Sequence, residues 1–135
     1  MTVKGSCFCG SITYAIDGTL HSGRSCHCQN CRKAFSAQAS AYALIKSDQF
    51  SWVTGEDMLR GYASEKTGEG LLFCSNCGST LCGTMNGHVN GVTLGCVDGD
   101  PEISIEMHIF VEEKAKWEII PENVLCYPKG PPQAT

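Results

Sequence analysis

Ten cysteines in a chain of 135 residues are the side chains most able to do chemistry, and seven of them fall into three short clusters. Thiolates this close together either cross-link to one another or bind a metal ion. Zinc sites commonly combine two short cysteine motifs from distant parts of a chain, because four ligands must converge on one ion at about 2.3 Å. The clusters are Cys7-Phe8-Cys9-Gly10, Cys26-His27-Cys28-Gln29-Asn30-Cys31 and Cys74-Ser75-Asn76-Cys77-Gly78.

The choice between disulfides and metal depends on the redox compartment. An even number of cysteines in a small chain would favour a disulfide scaffold if the protein were secreted. The first residues, Met-Thr-Val-Lys-Gly-Ser-Cys, contain no apolar core of the signal-peptide type. We therefore expect a cytoplasmic protein with reduced thiols, in which the clusters bind metal.

The first and third clusters together offer two cysteine pairs. Cys7 and Cys9 are spaced i, i+2, so on an extended strand both side chains point to the same face. Cys74 and Cys77 are followed by Gly78, a spacing typical of a knuckle, where the chain turns tightly and backbone N–H groups point at sulfur. Rather than four free cysteines, we expect a closed tetrahedral structural zinc site, whose loss unfolds much of the domain.

The second cluster offers three thiolates, Cys26, Cys28 and Cys31, with no further pair to complete a four-cysteine site. A zinc ion with three protein ligands and a vacant fourth position is what a catalytic or substrate-binding site needs. Because three thiolates donate much charge, such an ion should favour a soft exogenous thiolate and lower the pKa of the incoming thiol. The alternative is a closed, structural site. The residues that could close it are His27, Cys82, Cys96, Cys126 or a distant histidine.

The elements that must position these clusters are short. Residues 11–16 alternate polar and apolar side chains, as a half-buried strand does. Helical signal is weak: residues 28–35 are predicted as a short helix and residues 112–117 as one turn or more. We therefore predict a mainly β fold with little helix. The other predicted strands are residues 40–45, 49–53, 59–63, 70–73, 92–96 and 107–111.

Composition limits the class of protein. The length points to a single zinc-binding domain, which we place at residues 1–126, followed by a loose tail at residues 127–135. With 42% hydrophobic residues and 15 glycines the core is modest, so structural metal could supply stability that it lacks. A net charge of −4 argues against a nucleic-acid partner. No apolar run approaches the roughly 18 residues of a membrane span, and an exposed sheet face would suit a homodimer.

Four segments carry motifs that extend beyond the cysteines. They are Gly5-Ser6-Cys7-Phe8-Cys9-Gly10, Cys26-His27-Cys28-Gln29-Asn30-Cys31-Arg32-Lys33, Phe73-Cys74-Ser75-Asn76-Cys77-Gly78-Ser79-Thr80-Leu81, and His108-Ile109-Phe110-Val111 followed by Lys114, Ala115 and Trp117. In this order they resemble the glutathione-dependent formaldehyde-activating enzyme family, which includes centromere protein V, over roughly residues 4–120. Two departures stand out. Ser36 and Ala37 occur where a glycine is usual, and residues 120–127 lack the usual Asp-x-Leu-Pro ending.

The resemblance implies a zinc-stapled β-tent of short twisted antiparallel sheets and two zinc ions per chain. It also implies carbon–sulfur lyase or synthase chemistry on glutathione–aldehyde adducts such as S-(hydroxymethyl)glutathione, with glutathione as co-substrate. The implied ligands are Cys7, Cys9, Cys74 and Cys77 for the structural zinc ion, and Cys26, Cys28 and Cys31 for the catalytic zinc ion.

A mechanistic hypothesis follows, in which a thiol binds the second zinc ion through sulfur and attacks an aldehyde carbon, or in reverse departs from it. The hydroxyl proton must move, so a general acid–base is a candidate requirement. His108 and His27 are candidates by residue type, although a histidine on a β face is more often structural. Arg32 and Lys33 could pair with glutathione carboxylates. Alternatively, they compensate the charge of the thiolates or lie on the surface.

The alternative class is a non-catalytic zinc module that binds glutathione without turning it over, or binds a protein partner through a sheet face. The two classes differ in whether the second zinc ion has an exchangeable fourth ligand. The three cysteines outside the clusters, Cys82, Cys96 and Cys126, are expected to be small buried apolar residues.

Overall fold

The structure, a computed structural model, describes residues 1–132 and is mainly β in that range, as predicted. It contains ten short strands, one α-helix and four single turns of 3-10 helix within those residues. No helix formed by residues 1–132 is long and apolar enough to cross a membrane. The elements are β1 (Thr2–Ser6), β2 (Thr13–Asp17), β3 (Gly23–Cys26), α1 (Gln29–Phe35), β4 (Ser40–Leu44), β5 (Phe50–Thr54), β6 (Leu59–Ala63), β7 (Glu69–Cys74), β8 (Thr80–Met85), β9 (His88–Thr93) and β10 (Ile105–Ile109).

Most strands predicted from alternation are present, and β6 has the predicted bounds. One strand prediction is wrong in its bounds: the strand expected at residues 92–96 is β9, which ends at Thr93, and Leu94–Cys96 form a 3-10 turn. The helical segment expected at residues 112–117, of one turn or more, is present as a single 3-10 turn with shifted bounds, Val111–Glu113. Strands β1, β3 and β8 were not predicted.

The chain divides into two compact units, and the first comprises Met1–His21 and Ala43–Ile103. It contains a three-stranded antiparallel sheet in the order β1-β2-β5. It also contains an antiparallel series in which β9, β8, β7 and β6 are successive neighbours. The tight connection between β8 and β9 places Asn86 and Gly87 at positive φ, as a two-residue hairpin turn requires.

The core of the first unit includes two cysteines of the predicted four-cysteine site. Cys7 and Cys74 are buried with apolar side chains from both groups of strands. Tyr14 is 1% exposed and packs against Phe50 and Trp52. The thiols therefore belong to the hydrophobic interior of this unit. The other members of the core are Val3, Ile12, Ile16, Leu20, Ala43, Leu81, Cys82 and Val92.

The second unit comprises Ser22–Tyr42 and the chain from Ser104 onward. Here β3 lies between β10 and β4, and β10 runs parallel to β3. This pair makes the sheet mixed and not purely antiparallel as expected. The Glu113 carboxylate accepts a 3.2 Å hydrogen bond from the backbone N–H of Gln29, at the start of α1.

Backbone hydrogen bonding continues past residue 126, where the tail was predicted to begin. The N–H of Tyr127 donates to the carbonyl of His108 at 2.9 Å, and the N–H of Phe110 donates to the carbonyl of Lys129 at 3.0 Å. Residues 127–129 are therefore bonded to the chain around β10. The last three residues of the predicted tail, 133–135, lie outside the described residues.

Helix α1 ends at Phe35 and is capped by Ser36, which belongs to one of the two departures from the family pattern. Ser36 has φ 52° and ψ 45°, the left-handed conformation, and its N–H donates to the carbonyl of Arg32. Glycine is preferred at such a position because a Cβ is crowded there. The left-handed backbone therefore explains why glycine is usual here in the family. Serine at this position carries strain.

We expect Ser36→Gly to stabilise the protein by roughly 0.5–1 kcal/mol, since relief of left-handed strain exceeds the added freedom of the unfolded chain. Urea denaturation of the metal-loaded protein measures this. Ala37→Gly is the matched control: Ala37 has no positive φ, so this variant should gain nothing or lose stability. A Ser36→Gly protein that unfolds at lower urea than the parent would contradict the expectation.

Candidate metal centres

The first and third clusters meet in the first unit. The sulfur atoms of Cys7, Cys9, Cys74 and Cys77 all lie within 4.8 Å of one another. Cys9 Sγ is 3.6 Å from Cys7 Sγ and 3.8 Å from Cys74 Sγ. A regular tetrahedron with metal–sulfur bonds of about 2.3 Å places its sulfurs about 3.8 Å apart. The four thiols therefore fit one tetrahedral ion of the size of zinc.

Backbone N–H groups support this arrangement, as the knuckle spacing predicted. The N–H of Ile12 donates to Cys7 Sγ at 3.3 Å, and the N–H of Asn76 donates to Cys74 Sγ at 3.4 Å. Gly78 has φ 83°, and its N–H donates to the carbonyl of Cys74 at 2.8 Å. The two N–H···S bonds favour the thiolate form of the sulfurs that accept them, the form that binds metal, while the Gly78 bond closes the turn.

Two serines next to the cluster favour ionisation of its thiols. Ser79 Oγ lies 3.3 Å from Cys77 Sγ, and this hydrogen bond, with that of the Ser79 backbone, lowers the pKa of Cys77 to about 5. Ser11 Oγ lies 3.4 Å from Cys9 Sγ and is the main cause that lowers the pKa of Cys9 to about 7. Part of this cluster is thus anionic at neutral pH, which favours a cation.

The second cluster forms a separate group in the second unit. The sulfurs of Cys26, Cys28 and Cys31 lie within 4.8 Å of one another. Cys26 ends β3, Cys28 is the N-terminal cap of α1, and Cys31 lies in the helix. The N–H of Cys31 donates to Cys28 Sγ at 3.2 Å. Within residues 1–132, no fourth Cys, His, Asp or Glu joins this group at that spacing.

The three thiols ionise unequally. Hydrogen bonds from the Cys26 and Cys31 thiols lower the pKa of Cys28 to about 2. The same hydrogen bond to Cys28, followed by that to Cys31, raises the pKa of Cys26. The group therefore carries at least one thiolate at neutral pH. A cation that displaces the protons of the other two thiols would be bound by three sulfur ligands.

A residue that the sequence did not link to this group is Tyr42, on β4. Tyr42 is half-buried, and burial together with the charge of Cys26 raises its pKa to about 12, opposed by Arg24. The Tyr42 hydroxyl therefore stays protonated beside the thiols and can donate. Arg24 and Cys26 are two residues apart on β3 and so share one face of the strand. Arg24 is one of the basic residues that the sequence places beside the clusters, and this alternation puts it on the same side of β3 as the sulfur of Cys26.

His27 and His108 lie on the other face. His27 Nε2 is 3.0 Å from His108 Nδ1 and 3.5 Å from Ser25 Oγ. Ser25 and His27 flank Cys26 in sequence, so their side chains point away from the side of its sulfur. Burial, and then the charge of His108, lowers the pKa of His27. This arrangement pairs the two predicted acid–base candidates with each other and not with the thiols.

The predicted glutathione-binding residues lie on α1. Arg32 and Lys33 occupy its last turn; Arg32 is half-buried and Lys33 is exposed. Arg32 Nε is buried, and no residue of the range 1–132 hydrogen-bonds to it.

The three cysteines outside the clusters differ in exposure. Cys82 is buried as expected, Cys96 is half-buried, and Cys126 is exposed, contrary to expectation.

Fold and thiol geometry together define a small, mainly β protein with two cysteine groups that could hold zinc ions. The chain belongs to the family of the glutathione-dependent formaldehyde-activating enzyme, whose family model matches residues 2–113. The expected family is thereby confirmed, over a range that contains the first three motifs and residues 108–111 of the fourth. No curated protein matches the chain significantly.

A solved structure supports the fold independently. The chain is similar to a Rhodobacter sphaeroides protein whose crystal structure was determined as a structural genomics target. The TM-score is 0.55 and the sequence identity is 23%, over 71% of this chain and 88% of the other. At this identity the likeness concerns the fold alone.

Proposed function

We propose that the protein is a zinc-dependent carbon–sulfur lyase or synthase that acts on glutathione–aldehyde adducts such as S-(hydroxymethyl)glutathione. One observation carries the proposal: three thiols of a family member converge without a fourth protein ligand among residues 1–132. A purely structural zinc site would be expected to have four protein ligands, as the first cysteine group does.

In this proposal the seven clustered cysteines have two roles. Cys26, Cys28 and Cys31 would hold a catalytic zinc ion, and the four-cysteine group would hold a structural one. A zinc ion held by three thiolates supplies stabilisation of an incoming thiol as its thiolate near neutral pH. The N–H···S bond from Cys31 to Cys28 keeps two of the ligands in fixed relation.

The reaction forms or breaks one carbon–sulfur bond and moves one proton between the thiol and the oxygen of the aldehyde. In the synthase direction the sulfur of glutathione forms a bond to the aldehyde carbon, and the carbonyl oxygen takes up the proton that the thiol releases. The lyase direction reverses both changes. Because the Tyr42 hydroxyl lies within electrostatic range of the thiols and of the Arg24 guanidinium, these two groups are the donors that we assign to the oxygen atoms of the adduct.

The carboxylates of glutathione require cationic partners. Arg32 and Lys33 follow Cys31 directly on α1 and supply positive charge next to the three-cysteine group. Positive groups adjacent to the sulfur ligands would orient the tripeptide while its thiol lies at the three-cysteine group.

The test is calorimetric titration of glutathione into the zinc-loaded protein and into its Cys28→Ser variant. We expect binding to the parent and no measurable binding to the variant, because the variant lacks one of the three sulfur ligands, while serine can still cap α1. Cys126→Ser is the matched control, since Cys126 is exposed and outside both groups. It should bind glutathione as the parent does.

Activity assays complete the test. Loss of adduct cleavage in Cys28→Ser, with the spontaneous reaction of aldehyde and glutathione subtracted, would support the enzyme. If the parent binds glutathione without any turnover, or does not bind it, the proposal fails. The non-catalytic zinc module then becomes the better account.

A further inference from the structure

His27 is the residue between two of the three clustered thiols, and its side chain is almost completely buried. It is 1% exposed, and its Nδ1 atom has no hydrogen-bond partner within residues 1–132. The ring is therefore held by its other nitrogen, Nε2, which lies 3.0 Å from His108 Nδ1. A neutral His27 with its proton on Nε2 donates to His108 and leaves no unpaired N–H group.

His108 is itself firmly held. It lies on β10, opposite Ser25 of the parallel strand β3. Its N–H donates to the carbonyl of Leu125 at 2.8 Å, and its carbonyl accepts from the N–H of Tyr127 at 2.9 Å. Backbone bonds on the C-terminal side thus fix the position from which its ring contacts His27.

A second bond joins the same two segments. The backbone N–H of His27 donates to the carbonyl of Ile109 at 2.9 Å. His27 is consequently anchored to β10 at two points, by its backbone and by its ring. Cys26 and Cys28 are its immediate neighbours, so the directions of their Cα–Cβ bonds depend on how this one residue is held.

We propose that His108 is a positioning residue for the three-cysteine group: through the buried ring of His27 it holds Cys26 and Cys28 in the orientation that binds metal. The proposal rests on the proposed assignment of the three cysteines as metal ligands. In this proposal His27 and His108 lie on the face of β3 opposite the sulfur of Cys26. From there the histidine pair orients the metal ligands without contacting the substrate. Loss of such an outer contact typically weakens metal binding about 10- to 100-fold.

The experiment loads the full chain with cobalt(II) and records its visible absorption, while a competing chelator measures the affinity of each equivalent. Three variants are compared with the parent: His108→Ala, His108→Asn and His88→Ala. Asparagine keeps a side-chain oxygen near the position of Nδ1, so it can still accept from His27. His88 is exposed and begins β9, away from both cysteine groups in the chain, so His88→Ala is the control.

We expect His108→Ala to bind one of its two cobalt ions at least roughly 10-fold more weakly than the parent does. The visible absorption bands of that ion alone should shift. His108→Asn should restore both, and His88→Ala should match the parent. Unchanged affinity and spectrum in His108→Ala would overturn the positioning role. So would equal weakening of both equivalents, which indicates general destabilisation. A parent that binds a single cobalt ion would instead overturn the assignment of the three cysteines on which the proposed function rests.

Discussion

Replacing Cys74 by serine is expected to remove one of two bound zinc ions and to abolish cooperative unfolding of the first unit. Cys74 is fully buried, ends β7 and shares a core cluster with Ile12, Tyr14 and Leu81. Its sulfur is 3.8 Å from that of Cys9, which is 65 residues away in the chain. One ion at this site would therefore bridge two distant segments of the unit.

The size of the effect follows from the coupling of metal binding to folding. Binding of a structural zinc ion contributes about 10–16 kcal/mol at neutral pH in small zinc-binding peptides. Whole domains are stable by only about 5–15 kcal/mol. Loss of a ligand from a buried four-thiol site should thus cost most of the stability of this unit, and the serine hydroxyl adds a buried polar group.

Zinc content per chain and thermal unfolding followed by circular dichroism measure this prediction. Removal of zinc from the parent by a chelator should have the same effect as the substitution. Cys126→Ser, at an exposed cysteine outside both groups, should keep two zinc ions and the parental unfolding temperature. A Cys74→Ser protein with two zinc ions and unchanged unfolding would show that the four-cysteine group is not a structural metal site.

Sequence spacing predicted the two cysteine groups because each motif places its sulfurs locally. The Cys-x-x-Cys knuckle and the Cys-x-Cys pair each bring two ligands together within a few residues, although Cys7 and Cys9 lie in the turn after β1 and not on an extended strand as predicted. The parts of the fold that were missed depend on distant partners. Strand β1 (Thr-Val-Lys-Gly-Ser) and strand β3 (Gly-Arg-Ser-Cys) have little intrinsic strand preference. They are strands because β2 and β10 supply their hydrogen bonds.

The surroundings of the three-cysteine group could be predicted only in part. Arg24 precedes Cys26 by two residues, so local alternation places it on the same side of β3. The contact of His27 with His108 spans 81 residues and exists because β10 pairs in parallel with β3. Parallel strands are joined by a long crossover connection, so no local sequence pattern predicts that β10 pairs with β3. For this reason the sequence suggested His108 by residue type but assigned it an acid–base role.

Gly5→Ala is expected to destabilise the protein by about 3 kcal/mol or more, at the upper end of the usual cost of overpacking a core. Gly5 lies opposite Tyr14 in the β1–β2 pair. A Cβ on Gly5 would lie 2.0 Å from Cζ of Tyr14. Displacing the ring would disturb the core, since it is 1% exposed and contacts the rings of Phe50 and Trp52, with centroids 5.0 and 6.2 Å away.

Gly95→Ala is the matched control, because a Cβ there would meet nothing within 4 Å and the backbone is not at positive φ. Urea denaturation of the two zinc-loaded variants should show free energies of unfolding that differ by most of the predicted destabilisation. If both variants unfold with the parent, the tyrosine ring does not pack against the backbone of β1. The glycine that precedes the first cysteine pair would then not be explained by its contact with Tyr14. If only Gly5→Ala is destabilised, the glycine of the opening motif has a packing role against Tyr14, two residues before the first clustered thiol.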